Sequence, residues 1–114
     1  YGQIRSVAAY VSDHFAKSIT VPQLVELTGL SETLFKQTFA KIFSMTPWQY
    51  LTTIRLNAVR KLLETTDKPL SEIALETGFF DQSHLTRTFK KERGTTPGEY
   101  RRQQQKYSPD RVLS

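Results

Sequence analysis

An internal repeat constrains the fold of this chain more than any other feature of its sequence. Two segments about 50 residues apart match in residue type, and the second copy contains one extra residue, Phe80. The matched positions are Leu24, Val25, Thr28, Gly29, Leu30, Phe35, Thr38, Phe39, Thr46, Pro47 and Tyr50 in the first copy, and Ile73, Ala74, Thr77, Gly78, Phe79, Leu85, Thr88, Phe89, Thr96, Pro97 and Tyr100 in the second. Such self-similarity marks a duplicated supersecondary unit. Each copy has the pattern of a short helix, a glycine turn and a second helix, so the sequence predicts two helix-turn-helix units, an arrangement suited to reading DNA at two places.

The length and composition are typical of one small globular domain. The chain has 114 residues, of which 38% are hydrophobic, and it has no cysteine. A chain of this size can bury a modest core, and without cysteine it forms neither disulfides nor thiolate metal sites. No apolar run approaches the roughly 20 residues that cross a bilayer, and the sequence shows no signal peptide. We therefore expect no membrane partner and a cytoplasmic, nucleoid-associated location.

The positive charge is concentrated in the second copy. The net charge is +5, and segment 82–106 alone holds seven basic residues against two acidic ones, which leaves the remainder neutral. The basic residues are Arg87, Lys90, Lys91, Arg93, Arg101, Arg102 and Lys106. A basic stripe of this kind is the electrostatic footprint of a protein that binds phosphates. A solvated helical face without any partner explains the same pattern equally well.

Apolar residues recur at helical spacing along the chain, and no segment alternates with a period of two. The sequence therefore predicts an all-α fold of seven helices, with two helix-turn-helix subdomains joined by a long central helix. We expect helices over roughly 2–16, 21–29, 32–43, 47–64, 70–77, 82–92 and from 97 onward. The predicted parts are a first subdomain over 1–45, a linker helix over 46–66, a second subdomain over 67–106 and a polar tail over 107–114. At 1.5 Å per residue the long helix spans roughly 27 Å, enough to hold the two units a fixed distance apart.

Capping residues mark the expected helix starts. Three threonines, Thr20, Thr46 and Thr96, are followed three residues later by Gln or Glu, which is the spacing of a capping box. Each box has a proline in the first helical turn, where the missing N–H is not needed. Ser31 and Asp81 are the expected N-caps of the second helix of each copy.

From Val7 to Arg102 the chain resembles a known family. The residues that carry the resemblance are Tyr50, Leu51, Arg55, Leu56, Ala58, Leu62, Leu63, Ile73, Ala74, Gly78, Phe79, Ser83, Arg87, Phe89, Lys90, Lys91, Gly94, Thr96, Pro97, Tyr100 and Arg101. This pattern is similar to the DNA-binding domain of AraC/XylS-type transcription regulators. The resemblance implies a pair of helix-turn-helix subdomains that bind DNA as part of a transcriptional regulator, commonly an activator.

The chain departs from the pattern of that family at four positions. Ser44 stands where the first copy would usually carry Gly, and Phe80 is bulkier than expected. His84 and Leu85 stand where Tyr and Phe are frequent. None of these departures removes a helix, so we expect the fold of the family. His84 and the surface of the first copy leave the target sequence open.

The second helix of each copy carries the expected DNA contacts. A recognition helix enters the major groove with its N-terminal outward residues against the base edges. Helical geometry places the outward residues opposite the apolar ones. We expect base contacts from Thr33, Lys36, Gln37, Gln82, Ser83, His84 and Arg87. We expect phosphate contacts from Ser31, Lys41, Thr86, Lys90, Lys91 and Arg101.

Other roles stay open for several residues. Arg87 could contact a phosphate or form an intramolecular ion pair instead of binding guanine, and His84 could make no contact at all. Leu34, which aligns with His84, could touch a thymine methyl group or pack against the preceding helix. The aromatic residues at helix starts, Trp48, Tyr50 and Tyr100, are expected to wedge into the cores rather than to stack on bases.

The expected partner is double-stranded DNA. Because the outward faces of the two copies differ, the expected site is asymmetric rather than palindromic. An enzyme is not expected, because the chain has no glycine-rich phosphate loop, no cysteine and no paired carboxylates beside a histidine. We expect no cofactor, and no metal because the two histidines, His14 and His84, lie in different units.

Protein partners are also expected. RNA polymerase is one expected partner. The alternative function is that of a protein-interaction module that docks on the polymerase or on another domain, because the first copy is weakly charged. The chain begins with Tyr1 rather than Met. We therefore expect it to be a fragment that lacks an N-terminal effector or dimerisation domain.

Overall fold

The computed structural model describes residues 2–106, which form seven helices and no strand. The helices are α1 (Gly2–His14), α2 (Val21–Thr28), α3 (Glu32–Phe43), α4 (Pro47–Thr65), α5 (Leu70–Glu76), α6 (Gln82–Arg93) and α7 (Pro97–Lys106). The all-α prediction is confirmed, and the predicted polar tail over 107–114 lies outside the described residues. Within the described range, none of the helices combines the length and the apolar content that a bilayer crossing needs.

The chain divides into two compact units, Tyr1–Arg55 and Leu56–Ser114, with the boundary inside α4. In the first unit, α1, α2 and α3 pack against one another. The buried core consists of Ile4, Val7, Val11, Ile19, Leu24, Phe35, Phe39 and Leu51. Because Phe35 and Phe39 are four residues apart, they lie on one side of α3. The opposite side of that helix is left exposed.

The second unit repeats this arrangement with its own core. Here α6 packs against α5 and α7. The buried residues are Leu56, Val59, Leu63, Ile73, Ala74, Phe79, Leu85 and Phe89. Leu85 and Phe89 occupy on α6 the positions that Phe35 and Phe39 occupy on α3, so the duplication seen in the sequence is a duplication of packing.

An aromatic pair secures the last helix of each unit. The ring of Tyr50 meets Phe39 edge-on with centroids 5.4 Å apart, and that of Tyr100 meets Phe89 with centroids 5.7 Å apart. The expectation that these tyrosines wedge into the cores is confirmed. It is wrong for Trp48, which is 55% exposed. The preceding residue, Pro47, takes the buried position at the start of α4.

The predicted capping boxes are present at all three threonines. In each box the threonine hydroxyl accepts from the backbone N–H three residues later, and the side chain of that later residue accepts from the threonine N–H. At the start of α7 the hydroxyl and the backbone N–H of Thr96 both donate to Glu99 and hold the pKa of its carboxyl below the ordinary value. Local sequence therefore determines where α2, α4 and α7 begin.

Helices α3 and α6 both end with a residue in the left-handed conformation. Gly94 follows α6 with φ of 81°, and Ser44 follows α3 with φ of 58°. Both backbone N–H groups bind a carbonyl oxygen four residues earlier, at 2.8 Å. A side chain in this conformation costs about 1 kcal/mol relative to glycine. Serine at position 44 therefore weakens the end of α3 slightly without changing its geometry.

Replacement of Phe39 or Phe89 by Ala should destabilise the protein strongly. Each ring is almost completely buried on the core side of its helix, so we expect a loss of about 3 to 5 kcal/mol in the free energy of unfolding. Urea denaturation followed by circular dichroism measures this quantity. The matched controls, Lys41→Ala and Lys91→Ala, remove exposed side chains from the same helices and should change it by less than about 0.5 kcal/mol. Equal stability of the Phe and Lys variants would contradict the facing of these helices.

Candidate nucleic-acid interface

Helix α6 presents a polar and basic surface on the side opposite its buried residues. The carboxylate of Asp81 caps its N-terminus by accepting from the N–H of His84 at 2.8 Å. With Leu85 and Phe89 buried, the 3.6-residue period places Arg87 directly opposite the core. The predicted contact residues that are exposed on α6 are Gln82, Ser83, Arg87, Lys90 and Lys91, while His84 and Thr86 are half-buried. Helix α6 thus brings together all the site residues predicted for the second copy except Arg101.

Helix α3 presents the corresponding surface in the first unit. Its N-cap is Ser31, whose hydroxyl accepts from the N–H of Leu34 at 3.2 Å. The predicted residues Thr33, Lys36, Gln37 and Lys41 are all exposed. Lys36 forms an ion pair with Glu32 at 3.1 Å, in which both side chains are more than half exposed. Such an exposed pair is weak, so the Lys36 ammonium can leave Glu32 and bind a more strongly charged anion.

The imidazole of His84 is held in a defined orientation. Its Nδ1 atom accepts from the backbone N–H of Phe80 at 3.3 Å, and its ring meets that of Phe79 edge-on at 5.2 Å. An uncharged imidazole that accepts at Nδ1 carries its proton at Nε2. The hydrogen bond therefore assigns Nε2 as a donor. Sequence reasoning placed His84 at the site but gave no indication of this constraint.

The structure gives Arg101 an intramolecular role. Its guanidinium donates to the carbonyl oxygens of Leu63, Thr66 and Lys68, at 3.5, 3.1 and 2.8 Å. These carbonyls lie at the end of α4 and just beyond it, where a helix leaves acceptors without internal partners. A planar fork of five donors suits such a set of acceptors. Because these hydrogen bonds engage the guanidinium within the protein, we do not assign Arg101 to a DNA phosphate.

Arg55 has the equivalent role in the first unit, and sequence reasoning gave it no such role. It is buried, and its guanidinium donates to the carbonyl oxygens of Phe15 and Lys17 at 2.9 and 3.0 Å. Burial lowers the pKa of Arg55 from its ordinary value, although an arginine stays charged in proteins. Its guanidinium carbon also lies 6.0 Å from the ring centroid of Trp48. The sequence signal was a charged residue on the otherwise apolar stripe that follows Leu51.

The electrostatic asymmetry between the units is visible on the two helices. Helix α6 carries four basic residues and one acidic residue, whereas α3 carries two basic residues and one acidic residue. One of the four, Arg93, donates to the side-chain oxygen of Asn57 at 2.8 Å. Within residues 2–106, His, Asp and Glu side chains form no cluster that could hold a metal ion. The exposed polar and basic side chains of α3 and α6 can form hydrogen bonds and attract anions.

Known proteins share both the sequence and the fold. A family described as a helix-turn-helix domain matches residues 24–103, well over half of the chain. An uncharacterized HTH-type transcriptional regulator, YbfI of Bacillus subtilis (strain 168), is 39% identical over 83 residues, which cover 73% of this chain and 30% of that protein. The HTH-type transcriptional activator RhaS of Enterobacter sp. (strain 638) is 29% identical over 99 residues, which cover 87% of this chain and 36% of that protein. The chain thus spans about a third of the length of these relatives.

A solved structure has the same arrangement of helices. It is the crystal structure of the DNA-binding domain of AdpA, a global transcriptional factor, in complex with a target DNA. It superposes with a TM-score of 0.88 over 93% of this chain and 96% of that chain, at 27% sequence identity. The similarity therefore extends over both units.

Replacement of Arg101 by Ala should reduce stability, whereas replacement of its neighbour Arg102 should not. Loss of Arg101 leaves three carbonyl oxygens without this donor, and we expect a loss of about 2 to 3 kcal/mol in the free energy of unfolding. Arg102 is exposed, so Arg102→Ala should cost less than about 0.5 kcal/mol. Thermal melts of the two variants, which have the same net charge, provide the test. If both variants have the melting temperature of the parent protein, the guanidinium of Arg101 does not stabilise the end of α4.

Proposed function

The chain belongs to the AraC/XylS family of helix-turn-helix transcription regulators, and from this premise we propose that it binds an asymmetric double-stranded DNA site through α3 and α6. The observation that carries the proposal is the exposed basic surface of α6, where Arg87, Lys90 and Lys91 lie opposite the buried side. The complex of the AdpA domain with its target DNA supports it. This family consists of transcription regulators rather than enzymes.

The first turns of α6 supply base contacts in this proposal. A recognition helix fits the major groove of B-DNA, about 12 Å wide, with its N-terminal residues nearest the base edges. Arg87 projects away from the core one turn after Ser83 and would bind O6 and N7 of a guanine with two of its three guanidinium nitrogens. Gln82 and Ser83 would make further base contacts. His84 would donate from Nε2 to a base acceptor, because Nδ1 is occupied by the Phe80 N–H.

Helix α3 reads a different sequence in this proposal. Gln37 occupies on α3 the position that Arg87 occupies on α6, and a glutamine amide pairs best with N6 and N7 of adenine. Thr33 and Lys36 complete the outward surface of the first two turns. Because adenine recognition in one half-site and guanine recognition in the other are not interchangeable, the site as a whole would be asymmetric.

Contacts to the DNA backbone would fix the orientation of each helix. The residues assigned to phosphates are Ser31, Lys41, Thr86, Lys90 and Lys91. Lysine binds phosphate as a point charge and needs no exact geometry. We place the two half-sites in successive major grooves, about one helical turn apart, as is usual when two recognition helices bind one duplex.

In the complete regulator, this DNA-binding part would act with other domains. The relatives are about three times as long as the matched region, which leaves room for an effector or dimerisation domain. The name of RhaS, a transcriptional activator, supports the role of an activator. An activator would act together with RNA polymerase, which we propose as a protein partner. The first unit exposes three large apolar side chains, Leu27, Leu34 and Trp48. They favour an alternative role for this unit, in which it contacts the polymerase instead of DNA.

DNA affinity should fall steeply with salt concentration. If cationic side chains neutralise about five phosphates of the duplex, the slope of log K against log salt concentration is near −4.5. Lys90→Ala should make the slope shallower by about 1, while Lys61→Ala, which removes an exposed charge from α4, should leave it unchanged. Fluorescence anisotropy with a labelled duplex measures all three slopes. An affinity that does not change between low and physiological salt concentration would contradict the DNA-binding proposal.

Site selection from a random duplex pool should separate base contacts from phosphate contacts. Arg87→Ala should cost about 1 to 3 kcal/mol on the preferred site and erase the preference at one or two base pairs. Gln37→Ala should relax the preference about one helical turn away. Lys90→Ala should weaken binding to all sequences alike.

The same selection experiment can contradict these assignments. If Arg87→Ala keeps the base preferences of the parent and merely binds more weakly, then Arg87 contacts a phosphate and its assignment to guanine is wrong. If Gln37→Ala changes nothing, the first unit does not read the duplex, and the polymerase-docking role of that unit takes precedence.

A further inference from the structure

Phe80 is the residue that the second copy has and the first copy lacks. In the first unit, Leu30 leads directly to the N-cap residue Ser31. In the second unit, the buried Phe79 takes the place of Leu30, and Phe80 is inserted before the N-cap residue Asp81. The first unit joins its two helices and builds a helix of the same length, 12 residues, without an equivalent residue. The packing of the fold therefore does not require Phe80.

The side chain of Phe80 is the most exposed of the large hydrophobic side chains in the described part of the chain. It is 84% exposed, compared with 66% for Leu75 in the same unit. A single exposed apolar residue is common on a protein surface and needs no special explanation. What sets Phe80 apart is that the inserted residue, which contributes nothing to the core, is an aromatic one next to the recognition helix.

The backbone of Phe80 is fixed at the N-terminal end of α6. Its N–H donates to Nδ1 of His84 at 3.3 Å, and the N–H of His84 donates to the carboxylate of Asp81 at 2.8 Å. The ring of His84 is in turn held edge-on against the buried ring of Phe79 at 5.2 Å. This network joins the inserted residue to the first turn of the helix. The backbone of Phe80 is thus positioned before any partner arrives, which limits the backbone entropy lost on binding.

The electrostatic setting favours DNA as the partner that covers this ring. Helix α6 has no acidic residue in its first turn and carries four basic residues against one acidic one. In the function proposed above, its N-terminal turn lies in the major groove. A residue that precedes this turn then lies near the edge of the same groove. Within the major groove, the methyl group of thymine is the apolar feature that a phenyl ring can contact.

We infer that Phe80 is a specificity-determining residue that contacts the methyl group of a thymine at the edge of the sequence read by α6. The inference rests on the proposed DNA-binding function and adds a contact outside the recognition helix. It also assigns His84 a positioning role, since the imidazole holds the backbone from which the phenyl ring extends. A contact of the ring with sugar or phosphate, or with a protein partner, would not depend on that methyl group.

Single replacement of thymine by deoxyuridine tests the inference directly. Deoxyuridine keeps the base pairing of thymine and lacks its methyl group. The probe is the preferred duplex obtained by site selection with the parent protein, in which each thymine is replaced in turn. We expect one replacement outside the base pairs affected by Arg87→Ala to lower the affinity of the parent about fourfold, the effect of losing the burial of one methyl group.

The Phe80→Ser variant should bind this duplex about fivefold more weakly than the parent and should lose the sensitivity to deoxyuridine at that position. The control, Leu75→Ser, removes another exposed apolar side chain of the same unit. It should retain the fourfold sensitivity. Because both side chains are exposed, both variants should fold, which their circular dichroism melts verify.

The possible outcomes separate this inference from the function on which it rests. If the parent selects a preferred duplex but no deoxyuridine replacement distinguishes it from Phe80→Ser, the inference is wrong and the DNA-binding function stands. If Phe80→Ser weakens binding to all duplexes alike, the ring contacts the DNA backbone and the inference is again overturned. If the parent selects no duplex at all, the proposed function fails and the inference fails with it.

Discussion

Both units depend on an arginine that binds the carbonyl oxygens where a helix ends. Arg55 binds the segment after α1, and Arg101 binds the end of α4 and the segment after it. In each unit that segment leads into the first helix of the helix-turn-helix, α2 or α5. The arginine comes from a later helix, α4 or α7, so it ties that helix to the segment that precedes α2 or α5. Each helix-turn-helix is therefore held between two elements that one side chain connects.

Local sequence patterns predicted the helices and their caps because the causes are themselves local. A capping box needs only two side chains three residues apart, and the apolar period of α3 or α6 decides which side is buried. The arginine contacts were not predicted for a physical reason. Each joins groups that are 33 to 40 residues apart in the chain. Arg55 and Arg101 also do not occupy equivalent positions of the repeat, so the duplication gave no indication of their shared role.

The exposure of the predicted contact residues could be read from the sequence, whereas two other features of the surface could not. The exposed positions of α3 and α6 follow from the burial of Phe35, Phe39, Leu85 and Phe89, and a helical wheel is sufficient to find them. Trp48 does not follow from such a pattern, because it is exposed although it is aromatic, while its neighbour Pro47 is buried. The hydrogen bond that orients His84 likewise arises from the geometry of the inserted turn. Neither feature can be read from residue spacing alone.

The duplication separates the requirements of stability from those of recognition. The core side of the two helices has stayed alike, with Phe39 in one unit and Phe89 in the other, while the outward side carries Gln37 in one and Arg87 in the other. Because these surfaces lie on opposite sides of each helix, an outward residue can change without the cavity or strain cost of a core substitution. One chain can thus hold two units with alike cores and different outward surfaces. The inserted Phe80 follows the same principle, since it adds exposed apolar surface in one unit where the core does not constrain its identity.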